Sequence, residues 1–101
     1  MHGLIGKLRA QPGQRDALAA ILLDASQGAM PGCLSYIVAR ACDEPDALWI
    51  TEIWTSAAAH QASLDLPAVQ AAILQARPLI AGFDSHIITE PLAGFGLQEQ
   101  P

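Results

Sequence analysis

The 101-residue chain has no asparagine, one lysine, two cysteines and five aromatic side chains, and each shortage closes off a class of protein. Its basic residues, Lys7, Arg9, Arg15, Arg40 and Arg77, are scattered and stand against ten acidic ones, for a net charge of -5. Without a basic stripe to neutralise phosphates, neither nucleic acid nor an anionic membrane surface is an expected partner. Cys33 and Cys42 lack C-x-x-C spacing. On one strand they would stand roughly 30 Å apart at about 3.3 Å per residue, too far to bridge, so they read as small, partly buried thiols. Apolar runs such as residues 17–23 fall far short of the roughly 20 residues that span a bilayer. Met1-His2-Gly3-Leu4-Ile5-Gly6-Lys7 carries neither a basic leader nor an apolar block, which makes a cytoplasmic location the expectation. There is no G-x-G-x-x-G or P-loop, and Gly94-Phe95-Gly96 has no helix after it. The histidines at 2, 60 and 86 lack metal-ligand spacing, so no metal is expected. No Ser-His-Asp set can be singled out either.

What the chain does have is apolar residues in quantity, 51% against 15% charged, enough for a single packed domain. His2 to Ala10 alternates as a first strand, and Gln11-Pro12-Gly13-Gln14 turns it. From Gln14 the period changes: Leu18, Ile21, Leu22 and Ala25 recur at helical spacing, with Gly28 as the stop. Pro31-Gly32 turns the chain into a strand over residues 33–42. Asp43-Glu44-Pro45-Asp46 is too short for a helix, so the next strand, ending at Trp54, forms an antiparallel hairpin with it. Thr55 or Ser56 caps a short helix carrying His60. Asp65-Leu66-Pro67 starts another helix, striped by Val69, Ile73 and Leu74, and Pro78 kinks or ends it. A last strand runs over residues 83–90 to Pro91.

The order strand, helix, strand, strand, helix, strand predicts an α+β, ferredoxin-like βαββαβ domain over residues 1–91, with an antiparallel sheet and a tail over 92–101. The tail, anchored only by Leu92, Phe95 and Leu97, is expected to be loose or ordered by a partner subunit. Helices cover one sheet face. The other carries apolar side chains, and burying them against a second copy predicts a two-fold homodimer.

Residues 51–60 are the pivot of this arrangement. Leu48, Ile50, Glu52 and Trp54 share one face of their strand, and Trp49, Thr51 and Ile53 the other. A carboxylate thus neighbours an indole on an apolar face. The helix that follows can return His60 over the same cleft.

Pro31-Gly32-Cys33-Leu34-Ser35-Tyr36, then Glu52-Ile53-Trp54 with small helix-starting residues, then Pro67 and Pro78 ahead of Gly82-Phe83, resemble the antibiotic biosynthesis monooxygenase domain family. The resemblance runs from about Gly3 to Pro91. It implies a dimeric α+β barrel with a pocket between helices and sheet. It also implies oxidation of an electron-rich quinol or polyketide-like phenol by O2 without flavin, metal or other cofactor. A deprotonated hydroquinone is itself an electron donor, so the protein need only hold it, remove a proton and exclude water.

On that reading Trp54 walls the pocket and stacks on a planar ring, while Glu52 and His60 handle protons. Tyr36, Arg77 and His86 are candidate substrate contacts. Plainer roles compete: a core aromatic for Trp54, pairing with Arg9 or Arg40 for Glu52, a surface position for His60, a core or edge position for Tyr36 and His86, and a helix-end charge for Arg77. Many relatives carry their histidine nearer the position of Ser63. Haem-degrading relatives are expected to use an asparagine on the first strand, so its absence argues against haem breakdown. Some polyketide-modifying members have an asparagine where Ile50 stands. The alternative function is a non-catalytic dimeric domain that binds a small hydrophobic molecule or signals through it. A further alternative is a structural domain whose cleft is packed shut.

Overall fold

The computed structural model describes residues 1–28 and 30–97. Four strands, β1 (His2–Ala10), β2 (Cys33–Arg40), β3 (Ala47–Trp54) and β4 (Ile80–Thr89), alternate with three helices, α1 (Arg15–Ala25), α2 (Ala57–Ser63) and α3 (Pro67–Ala76). The strands form one antiparallel sheet in the order β2-β3-β1-β4. This is the ferredoxin-like α+β arrangement, with β1 and β3 central. No helix among the described residues is long and apolar enough to cross a membrane. The tail has no helix or strand through residue 97, and its last four residues lie outside the described ones.

Three boundaries differ from the sequence expectation, each for a local reason. Helix α1 stops at Ala25 rather than near Gly28, because the Ser26 hydroxyl donates to the Leu23 carbonyl at 2.7 Å and takes over the role of the stop. Strand β2 ends at Arg40, because the Ala41 amide donates to the Ala47 carbonyl at 3.0 Å and closes the hairpin. Cys42 is therefore off the strand and exposed, and both cysteines are free. Strand β4 begins at Ile80, earlier than 83, because Ile80 pairs with Ala10 beyond two register shifts at which Asp84 and Ala81 are extra residues on β4. Pro78 sits in a 3-10 turn, Arg77–Leu79, that links α3 to β4, which suits a residue with no amide to donate.

Paired residues on neighbouring strands point to the same face, so the register fixes the layers. Leu4 faces Glu52, Leu8 faces Leu48, Tyr36 faces Glu52 and Val38 faces Ile50 on the side the helices cover. Ala10, Leu18, Leu48 and Ala76 form the buried cluster there, with Ile21, Leu22, Val38, Leu79 and Ile80 packed against it. Leu18 and Leu48 are shut off from water, which contributes about 1.5–3 kcal/mol for each such side chain. The opposite face carries Ile5, Ile37, Trp49, Thr51, Ile53 and Ile87, and Ile37 and Ile87 are 56% and 49% exposed. Lys7 on that face is tied to Glu44, and its ammonium stands 5.4 Å from the centre of the Trp49 ring.

Gly32 joins the sheet to α2. Its φ is +85°, a Cβ there would lie 2.6 Å from the Ala59 Cβ and 2.9 Å from the Thr55 hydroxyl, and its carbonyl accepts the Thr55 amide at 2.8 Å. Gly13 also has positive φ, +77°, but opens onto empty space. The backbone conformation alone costs an L-residue about 1–2 kcal/mol. Gly13→Ala should lose roughly that much stability in chemical denaturation, and Gly32→Ala, which adds the clash, should lose clearly more. Equal losses would show that the contact between residue 32 and α2 does not constrain the chain.

Candidate active site

The site begins with the pleat of β3, which sets Glu52 and Trp54 side by side on the covered face. Trp54 is 1% exposed, and its indole N–H donates to the Glu52 Oε1 at 3.0 Å. The partly buried carboxylate thus has a donor. Glu52 makes this bond rather than a pair with Arg9 or Arg40; those two are engaged with Asp84 and Asp16.

Ser56 then turns the chain. It is extended, and its hydroxyl accepts the Ala59 amide at 3.0 Å, fixing the start of α2. One turn later His60 comes back over β3, its ring centre 5.3 Å from that of Trp54. Its Nε2 lies 3.9 Å from Glu52 Oε1, longer than a hydrogen bond but within reach of an ion pair when the ring is protonated. Two neighbours were missed by the sequence reading. Ser63 is buried, and its hydroxyl donates to the His60 carbonyl at 2.6 Å; His2 stacks on the His60 ring at 6.0 Å between centres. Strand pairing could have found His2, since it stands opposite Trp54.

Tyr36 lies across from Glu52 in the register of β2 and β3. Burial pushes its phenol well above the ordinary range, and the nearby Glu52 and Cys33 add to the shift. Burial likewise raises the Cys33 thiol, reinforced by Glu52 and partly opposed by the Ser35 backbone.

Tyr36, Glu52, Trp54, His60 and Ser63 line one end of a cavity of about 690 Å³ between the sheet and the helices; Cys33 and His2 do not. Leu22, Val69, Ala72 and Ile73 supply apolar walls, and Arg77, Ile80 and Phe83 belong to the segments at the other end of α3. The cavity is open rather than filled by Trp54 and Tyr36. The sequence candidates Trp54, Glu52, His60, Tyr36 and Arg77 all line it; His86, exposed on the edge strand β4, does not. Among the described residues no group of His, Cys, Asp or Glu is arranged to hold a metal ion.

A profile of the antibiotic biosynthesis monooxygenase family matches residues 1–74. The chain belongs to that family. A Chloroflexus aurantiacus protein, provisionally described as an antibiotic biosynthesis monooxygenase, is 58% identical with a TM-score of 0.93, over 96% of this chain and 98% of that one. A Deinococcus radiodurans protein with the same provisional description is 25% identical with a TM-score of 0.77, over 98% and 100% of the two chains. A conserved Methanosarcina mazei protein shares the fold at 13% identity and a TM-score of 0.74, over 87% and 89%. No curated protein matches the chain. The region outside the profile, residues 75–101, includes Arg77 and all of β4.

The Tyr36 environment has a consequence for stability. A phenol that holds its proton more tightly when folded stabilises the fold fully below the ordinary tyrosine value, about 10, and loses that contribution as pH rises through the folded value. Wild-type protein should therefore lose stability above about pH 10, and Tyr36→Phe should lose less over the same range. Because the chain has one tyrosine, ultraviolet absorbance reports this phenol alone. Its ionisation should accompany alkaline unfolding; titration near the ordinary value in still-folded protein would contradict the buried placement.

Proposed function

We propose that this protein is a cofactor-independent monooxygenase that oxidises a quinol or a polyphenolic, polyketide-like aromatic with O2. The observation that carries the reading is the gathering of His60, Glu52 and Tyr36 around Trp54 at one end of an otherwise apolar cavity. Family membership supports it at the level of reaction class.

In this reading the buried indole of Trp54 backs the substrate end of the cavity and fixes Glu52, and His60 takes the proton of a ring hydroxyl. Glu52, held by the Trp54 indole, favours the imidazolium that results. Tyr36, kept protonated by its surroundings, donates a hydrogen bond to a substrate oxygen. The deprotonated ring is the reductant. O2 adds to a ring carbon, one oxygen atom stays in the product, and the other leaves as water with two hydrogens from the substrate. A hydroquinone and O2 thus give a hydroxyquinone and H2O, which balances without an external donor.

The working form is a homodimer, supported by the apolar face that Ile5, Ile37, Ile53 and Ile87 present on the side away from the helices. A cytoplasmic location completes the reading. Light scattering should return twice the 10.6 kDa chain mass at micromolar concentration, and a stable monomer would remove the dimer from the account.

Oxygen uptake with a panel of reduced quinones and anthrones tests the chemistry. His60→Ala should lower kcat by about 10²–10⁴-fold, the usual worth of a positioned proton acceptor, and Glu52→Gln should lower it by less, because Glu52 acts through the imidazolium. Trp54→Phe, which removes the donor that holds Glu52, should lower kcat as well as raise KM. Thermal stabilisation by the same aromatics with no uptake would instead establish a non-catalytic binding domain.

A further inference from the structure

The cavity has two chemically unlike ends, and their separation points to the shape and charge of its ligand. Glu52 pairs with Leu4 of β1, and Ile80, which follows the Arg77–Leu79 turn, pairs with Ala10 of the same strand. Six residues of strand separate these positions, roughly 20 Å at about 3.3 Å per residue. Helix α3 gives a second measure. It starts beside α2, ends at Ala76 in the core cluster with Ala10, and its ten residues cover about 15 Å at 1.5 Å each. A volume of about 690 Å³ lies in the range that holds drug-sized ligands, beyond what one ring fills.

Charge is divided between the same two ends. Among the described residues, Glu52 is the one carboxylate side chain lining the cavity, and the exposed Arg77 the one arginine or lysine. Among the described residues no carboxylate lies within salt-bridge distance of the Arg77 guanidinium. The negative end of the α3 dipole lies beside it, so any attraction for an anion there comes from the guanidinium against the helix. This division favours one orientation for a molecule with one anionic end, its anion toward Arg77 and its neutral hydroxyl toward Glu52 and His60.

Resting on the monooxygenase reading for which hydroxyl reacts, we propose that the ligand is an elongated phenol of at least two rings. Its far end carries a carboxylate or similar anion, and Arg77 is the residue that selects this end. Arg77 acts in binding and orientation and takes no part in moving the reacting proton.

Equilibrium binding without O2 tests this apart from turnover. The probes are 4′-hydroxybiphenyl-4-carboxylate and its uncharged analogue 4-phenylphenol, with dissociation constants measured by calorimetry on wild type, Arg77→Lys and Arg77→Gln. The account expects wild type to favour the carboxylate about tenfold, as one charge-assisted contact provides. Arg77→Lys should retain part of that preference. Arg77→Gln should abolish or reverse it while leaving 4-phenylphenol affinity within about twofold, a control that also reports correct folding. Equal affinity for the two probes in wild type, a preference that survives Arg77→Gln, or no binding of either probe would each overturn the proposal. Charge selectivity that depends on Arg77, together with no oxygen uptake on any substrate, would sink the oxygenase reading and leave this one standing.

Discussion

The hydrogen bond from the Trp54 indole to the Glu52 carboxylate is the contact on which the site depends. A carboxylate on the covered face of a sheet is costly unless it is met by a donor. Here the donor comes from the residue two positions along the same strand, on the same face, so strand geometry alone supplies it. That bond holds the indole ring as a wall and aims the carboxylate at His60 in one step. The Ser56 cap does the complementary work by fixing where α2 starts, and hence which side chain passes over Trp54. An acid, an aromatic wall and an imidazole thus converge within nine residues of sequence, from Glu52 to His60.

The same sheet serves two purposes through its two faces. On the covered side, Leu48, Leu18 and Ala76 close the core at one end and leave the space above Tyr36 and Glu52 open. A small domain gives up apolar burial to keep such a cavity, and the apolar residues on the uncovered side offer a way to recover it through association. In the proposed dimer, stability and function would be linked, because that apolar face lies on the far side of the strands that carry the site.

How much of this was legible in the sequence depended on how local the governing physics is. Alternation on β3 placed Glu52, Trp54 and Leu48 together because a strand has only two faces, and the hydroxyl at Ser56 marked the helix start. Element order sufficed for the ferredoxin-like topology. The start of β4 was read too late because it is set by pairing with Ala10 across bulges, and nothing near Ile80 signals that pairing. Gly28 looked like the end of α1, but Ser26 ends it through a side-chain bond that competes with the backbone. The contacts of His2 and Ser63 with His60 depend on which strand lies beside which and on how α2 rolls, neither of which follows from spacing. Arg77 was legible both as a candidate contact and as the C-terminal end of its helix, whereas its place in the same cavity as His60 required the fold.

The central claim is that His60 and Glu52 remove a proton from an aromatic hydroxyl bound against Trp54. The most direct measurement is the anaerobic absorption spectrum of a bound chromophoric phenol, taken at a pH below the ligand's own ionisation in water. The account predicts a phenolate spectrum on wild-type protein and a neutral one on His60→Ala at matched occupancy. A ligand that binds wild-type protein at this site yet keeps its neutral spectrum would contradict it.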